Sequence, residues 1–189
     1  MADNEGTVRI IGGRFRGKKL TFPLKETLRP TQDRVRETLF NWLMNDIVDA
    51  NCLDVFAGTG ALGLEALSRG ARHVTFIDSD SAAINTLKKN AGTFNADHLT
   101  FIRTNYKEAL LSQAPFDIVF IDPPFAEQLQ VPVAQWLEAN QYLTAKALIY
   151  IETKKDSDMA GLPEHWGCLK QSSTATIDYY LYSNAVPPL

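Results

Sequence analysis

Asp54-Val55-Phe56-Ala57-Gly58-Thr59-Gly60-Ala61-Leu62-Gly63 decides the fold, because it passes from a short apolar run through a glycine turn directly into a helical pattern. Glycine at 58 and 60 lets the backbone turn sharply and lets a ligand approach with no side chain in the way. The spacing Gly58-x-Gly60-x-x-Gly63, with Asp78 lying 20 residues beyond Gly58, fits the fingerprint with which α/β proteins hold a nucleoside. An acid at that offset reaches ribose hydroxyls. These residues therefore point to a bound nucleoside and leave its identity open.

Outward from this turn, short apolar runs alternate with helical stretches, the pattern of βαβ units feeding a parallel sheet. Strands are predicted over Cys52–Phe56, His73–Asp78, Leu99–Arg103, Asp117–Asp122 and Ala147–Glu152. Helices are predicted over Ala61–Ser68, Ala82–Ala91, Lys107–Ser112 and Gln128–Ala139. Right-handed crossovers wind such a chain into a sheet with helices on both faces, so the class is α/β. Trp166–Gln171 and Ala175–Tyr182, joined by Ser172-Ser173-Thr174, have no helix-length gap between them and should pair as an antiparallel hairpin. Upstream, Val35, Leu39, Trp42 and Leu43 keep the spacing of a helix with one apolar stripe, beginning near Thr31. Two short runs around Gly12-Gly13 read as a small hairpin with largely cationic side chains.

The 189 residues suit one domain, and no apolar stretch approaches the roughly 20 residues of a membrane helix. Residues 1–6 lack the basic start and apolar run of a secretory signal, so a soluble cytoplasmic protein is expected, with no membrane partner. Cys52 and Cys168 are too few for a disulfide framework or metal cluster and read as buried thiols; no metal is expected. His73, His98 and His165 lack ligand spacing, and Tyr179, Tyr180 and Tyr182 read as sheet-edge packing. The net charge is −3, yet nine of the 19 basic residues lie between 9 and 36 beside two of the 22 acidic ones. Local field governs contact with a polyanion, so this end can hold phosphate; a solvated basic face is the plainer alternative.

The fourth predicted strand runs into Asp122-Pro123-Pro124-Phe125. A hydride-transfer enzyme on NAD has no need of that turn, whereas an enzyme methylating an amino group does. An exocyclic amine on a base ring is a poor nucleophile, because its lone pair spreads into the ring. Hydrogen bonds from it to the Asp122 carboxylate and the Pro123 carbonyl would localise that pair and align it with a sulfonium methyl. The prolines fix the backbone and present no N–H, while Phe125 offers a flat face for an extracted base. Asn105, just after the third strand, is placed to bond an adenine edge, although a turn role is equally consistent.

With these features the chain resembles the class I S-adenosylmethionine-dependent methyltransferases of the amino-methylating kind. Arg9-Ile10-Ile11-Gly12-Gly13 with Arg16-Gly17-Lys18, followed by Leu28-Arg29-Pro30-Thr31-x-Asp33-Arg34-Val35-Arg36-Glu37-Thr38-Leu39-Phe40-Asn41-Trp42-Leu43, is similar to the bacterial 16S ribosomal RNA guanine-N2 methyltransferases of the RsmD type. The likeness extends from about residue 8 to the C-terminal hairpin. It implies a Rossmann-like, mostly parallel seven-stranded sheet with an antiparallel edge hairpin, one domain over residues 1–189, and an RNA-binding hairpin extension over 7–30. It further implies that Asp54, Phe56, Gly58, Thr59, Gly60, Asp78 and Asn105 line the S-adenosylmethionine site, and that Asp122, Pro123 and Phe125 hold the target guanine. The family often has Glu at the ribose position, so the shorter Asp78 leaves Asp80 as its alternative. Arg9, Arg14, Arg16, Lys18, Arg29 and Arg34, within a segment running to Arg36, would grip the backbone of 16S ribosomal RNA or of an assembling small subunit. Nothing demands more than a monomer. Two other readings stand beside this one: an adenine-N6 or cytosine-N4 methyltransferase of DNA or other RNA, and an NAD-binding oxidoreductase built on the same glycine turn.

Overall fold

The computed structural model of the protein describes residues 5–23, 33–94 and 97–185. Arg29 and the Thr31 start of the first helix lie outside them. Two strands, β1 (Glu5–Arg9) and β2 (Lys19–Pro23), form an antiparallel pair, followed by α1 (Asp33–Trp42). The main body then runs β3 (Asn51–Asp54), α2 (Ala61–Ser68), β4 (His73–Asp78), α3 (Ser81–Gly92), β5 (Leu99–Arg103), β6 (Phe116–Ile121), α4 (Gln130–Ala139), β7 (Leu143–Lys154), β8 (Gly167–Ser173) and β9 (Ile177–Ser183). The seven-stranded sheet has the order β5-β4-β3-β6-β7-β9-β8, parallel through β7 and antiparallel at β9 and β8.

From β3 the chain builds outward to β4 and β5, then returns to the other side of β3 with β6 and β7. The order reverses between β3 and β6, and in open α/β sheets that switch point leaves a crevice at the C-terminal strand ends. Both neighbouring glycine and proline turns leave from those ends. β3 is buried at all four positions, as a central parallel strand covered on both faces should be. One apolar cluster joins α1, α2, α3 and the β1–β2 pair on one face; a second, with Val133, Ala134, Leu137 and Trp166, fills the other.

All eight residues of α2 are buried, and a helix apolar on every side needs cover on every side. The sheet covers one face. The segment between β1 and β2 covers another: the Ile11 and Gly12 amides donate to the Glu65 carboxylate, each at 2.8 Å, and the Phe15 amide donates to Ser68 Oγ at 3.0 Å. Gly63 permits the close seat against the sheet, since a Cβ there would lie 2.2 Å from the Phe76 ring.

Several expectations are corrected. The β1–β2 pair is separated by a longer loop than Gly12-Gly13 alone, and it is amphipathic rather than simply cationic: Val8, Leu20 and Phe22 are buried in the core. Arg36 is fully buried, its guanidinium bonded to the Arg9 carbonyl at 2.8 Å and to Asp33 at 2.6 Å, so it holds the fold rather than phosphate. The helix expected over Lys107–Ser112 is a single 3-10 turn, Tyr106–Glu108. So short a segment returns too few hydrogen bonds for the cost of a helical nucleus, and extended backbone at Ala109 buries Ala109 and Leu111 instead. Cys168 is exposed, because its strand β8 is the sheet edge; Cys52 is buried. β9 lies inside that edge, so Tyr179 is interior and stacks on Trp42 with ring centroids 5.4 Å apart.

Candidate active site

The glycine turn takes its shape from positive φ angles of 50° at Gly58 and 79° at Gly60, the latter immediately before α2. Asp78, at the end of β4, braces it: the Gly58 amide donates to Asp78 Oδ2 at 2.8 Å, and Oδ1 accepts from the Asp80 amide at 2.8 Å. Asp54, ending β3, accepts from the Gly63 amide at 3.1 Å from beneath the turn. Thr59 is buried between the two glycines. Asp80 caps α3 through the Ala82 amide at 2.8 Å, so the alternative ribose acid is engaged with the helix start.

Across the switch point, Asp122 and the buried Pro123 follow β6, and Phe125 packs against the core cluster on the α1 face. The Pro124 carbonyl accepts from the Glu127 amide at 3.0 Å, which closes the proline turn on itself. Burial first, and then the charges of Asp122 and Asp78, push the Asp54 carboxyl up to about 7. The three carboxyls therefore share one field. Among the described residues no group of three or more acidic, His or Cys side chains could hold a metal ion, and the field is that of carboxyls at the C-terminal ends of β3, β4 and β6. A cationic guest suits it, since such a guest lets the buried acid ionise.

Phe56 lies on the other side of the turn, its ring edge-on to Tyr106 at 6.0 Å. Asn105 is exposed and accepts from the Lys107 amide at 3.0 Å, a turn-forming contact. Thus Asp54, Gly58, Thr59, Gly60, Asp78 and Asp122 are assembled at the C-terminal ends of β3, β4 and β6, with Phe56 and Asn105 on the β5 side. The basic residues are not. Arg14, Arg16 and Lys18 sit on the loop docked at Ser68, the far end of α2 from the glycine turn, about 12 Å away for an eight-residue helix. Lys18 also bonds the Thr93 carbonyl at the end of α3. Arg9 and Arg34 are exposed elsewhere on the same layer. The sequence reading missed Glu152, a buried acid at the end of β7 beside Asp122. Its signal was a lone charge closing the apolar run Ala147–Glu152.

This geometry is shared with known proteins. Residues 8–183 match the family described as "Conserved hypothetical protein 95". The chain is 45% identical over 185 residues to "Ribosomal RNA small subunit methyltransferase D" of Haemophilus influenzae, covering 95% of each. It is 46% identical to the protein of the same name in Escherichia coli K12, covering 94% of this chain and 90% of that one. The chain belongs to this methyltransferase family. A solved structure, "Putative methyltransferase yhhF from Escherichia coli", superposes with a TM-score of 0.86 at 44% identity, covering 96% of this chain and 99% of that one. A methyltransferase at this identity is not the NAD-binding oxidoreductase that the glycine turn alone left open. Among the described residues no helix is long and apolar enough to cross a membrane.

Proposed function

We propose that the protein transfers a methyl group from S-adenosylmethionine to the exocyclic N2 of a guanine in small-subunit ribosomal RNA. The observation that carries this reading is the Asp122-Pro123-Pro124-Phe125 turn standing across the switch point from a braced glycine turn. The names of the relatives, ribosomal RNA small subunit methyltransferase D, support the substrate class.

The residues present fit the cofactor. The Asp54, Asp78 and Asp122 field suits its positive charge, and the glycine turn leaves backbone open to it. Asp78 and the Gly58–Gly60 backbone would hold the ribose and amino-acid parts, with Phe56 and Asn105 flanking the adenine. When bound, S-adenosylmethionine supplies an activated methyl on a sulfonium. Asp122 and the Pro123 carbonyl accept hydrogen bonds from the guanine amine, draw its lone pair out of the ring and aim it at that carbon. With the methyl given up by the bound cofactor, which would leave as the neutral thioether, Asp122 or water would take the extra proton from the nitrogen. Phe125 stacks on the base. No covalent enzyme intermediate is required, and one chain suffices.

Arg9, Arg14, Arg16, Lys18, Arg29 and Arg34 would bind RNA phosphates, adding affinity that falls with salt. Because the loop with Arg14, Arg16 and Lys18 lies about a helix length from the glycine turn, an RNA held at both places would span roughly 12 Å of the surface. Incubation with ribosomal RNA or small-subunit particles and labelled cofactor, followed by mapping of methylated nucleotides, tests the reading. A single N2-methylguanine in the small-subunit RNA is expected; methyl groups only on adenine N6 or cytosine N4 would replace it with the other amino-methyltransferase reading.

Cofactor binding should depend on pH through Asp54. Its carboxyl, raised to about 7, is protonated below that pH and ionised above it. A cation binds the ionised form better, so affinity rises with pH across this window, by up to about tenfold for each unit by which binding lowers the pKa. Calorimetry in buffers of different ionisation enthalpy should detect proton release on binding near pH 7. Affinity that is flat in pH, with no proton released, would contradict it.

A further inference from the structure

β7 carries one acid into the interior. Glu152 is 5% exposed, and the fully buried Tyr150, two residues earlier on the same face, donates its hydroxyl to Glu152 Oε2 at 2.9 Å. The Glu152 carbonyl accepts from Gln130 Nε2 of α4 at 3.1 Å, which pins the strand end from the opposite layer. The parallel register pairs Ile121 with Ile151, so one step further along each strand sets Asp122 beside Glu152. The groups that face Glu152 are Asp122 from the end of β6, Tyr150 from its own strand and Tyr179, its partner on β9, which Trp42 of α1 covers. None of these contacts is used by the chemistry described so far.

We propose that Glu152 works as a neutral carboxylic acid, a positioning residue that donates its proton in a hydrogen bond to Asp122 and so aims that carboxylate at the substrate amine. The inference rests on the reading of Asp122 given above. Tyr150 occupies Oε2 of Glu152, and in the proposed arrangement Oε1 carries the hydrogen to Asp122. Burial and the neighbouring Asp122 charge push the Glu152 carboxyl up to about 8, so it keeps its proton at neutral pH. Burial also holds Tyr150 well above the ordinary phenol range, which keeps it a donor. Ionised Glu152 would lose its donor hydrogen and set a second negative charge beside Asp122, turning that side chain away.

Glu152→Gln is the isosteric test, because its amide oxygen still accepts from Tyr150 and its NH2 still donates to Asp122. Near pH 7, kcat of this variant should stay within about threefold of the parent. The parent should lose kcat as pH rises through about 8, and Glu152→Gln should not. Glu152→Ala should lose kcat by at least about tenfold with the S-adenosylmethionine Kd unchanged. If Glu152→Ala fails to fold, the pH profiles of the parent and Glu152→Gln decide alone. A Glu152→Gln variant as impaired as Glu152→Ala, or one that keeps the parent's alkaline fall, overturns the proposal. Asp122→Asn separates the two levels: an active Asp122→Asn removes the reading of Asp122 itself. An inactive Asp122→Asn beside a Glu152→Gln that still titrates removes only the role given to Glu152.

Discussion

Asp122→Asn should lower kcat for methyl transfer by about a hundredfold to a thousandfold, the range seen when one preorganised polar group is removed from a reacting centre. The substitution keeps size and shape but replaces an acceptor-only carboxylate by a group that can turn a donor toward the amine. The cofactor should still bind, weakened by the loss of one charge from the carboxyl field but held by the glycine turn and its brace, Asp78 Oδ2 to the Gly58 amide at 2.8 Å, which do not involve Asp122. A loss of kcat far larger than any change in cofactor Kd is the signature of an interaction made in the transition state rather than in the ground state. A second readout comes with it. The Asp122 charge helps to raise the Asp54 carboxyl to about 7, so its removal should move the pH midpoint of cofactor binding downward. Single-turnover methylation and calorimetry on one preparation measure both. Full activity in Asp122→Asn would withdraw the assignment of the proline turn to the target base.

Much of this site was legible in the sequence because its parts are local. A glycine turn needs particular residues at fixed offsets, and Asp54, Gly58, Gly60 and Asp78 come together once two adjacent strands are paired. The proline turn is likewise written within four consecutive residues. What stayed hidden depends on partners distant in the chain. Glu152 acquires meaning only beside Asp122, 30 positions away, through the β6–β7 register. The basic segment misled in a similar way, because charge density in sequence says nothing of burial: Arg36 is buried beside Glu65 and paired with Asp33, while Arg34, two residues earlier, is exposed. The same holds for the cysteines, since Cys168 is exposed by the position of β8 at the sheet edge and not by its neighbours in sequence. Helix prediction over 107–112 failed for want of length, a local matter that tertiary burial of Ala109 and Leu111 then decided.

Glu65→Ala should be the most destabilising single change outside the active crevice. Glu65 is fully buried on α2 and takes four partners: the Ile11 and Gly12 amides, Arg69 Nε at 2.7 Å and, at 3.9 Å, the buried Arg36. Truncation leaves two amides without their acceptor and removes an anion from beside a guanidinium that water cannot reach, a loss of about 3–5 kcal/mol. Against a total stability of roughly 5–15 kcal/mol for a domain, this should shift denaturant midpoints strongly. It should also loosen the β1–β2 loop first, because that loop has no slack: at Gly13, with φ of 74°, an added Cβ would lie 1.9 Å from the Ser68 carbonyl oxygen. The physical cause can be isolated with a double-mutant cycle. Arg36→Met alone takes the guanidinium from beside Glu65, which keeps Arg69 and the loop amides; Glu65→Gln alone takes the carboxylate charge from beside Arg36, which keeps Asp33; and the pair together removes both charges. The double variant should therefore be more stable than the two single losses added together by more than about 1 kcal/mol. Strictly additive losses in chemical denaturation would mean that Glu65 acts only through its bonds to the loop amides, and that the buried arginine is held by Asp33 and the Arg9 carbonyl alone.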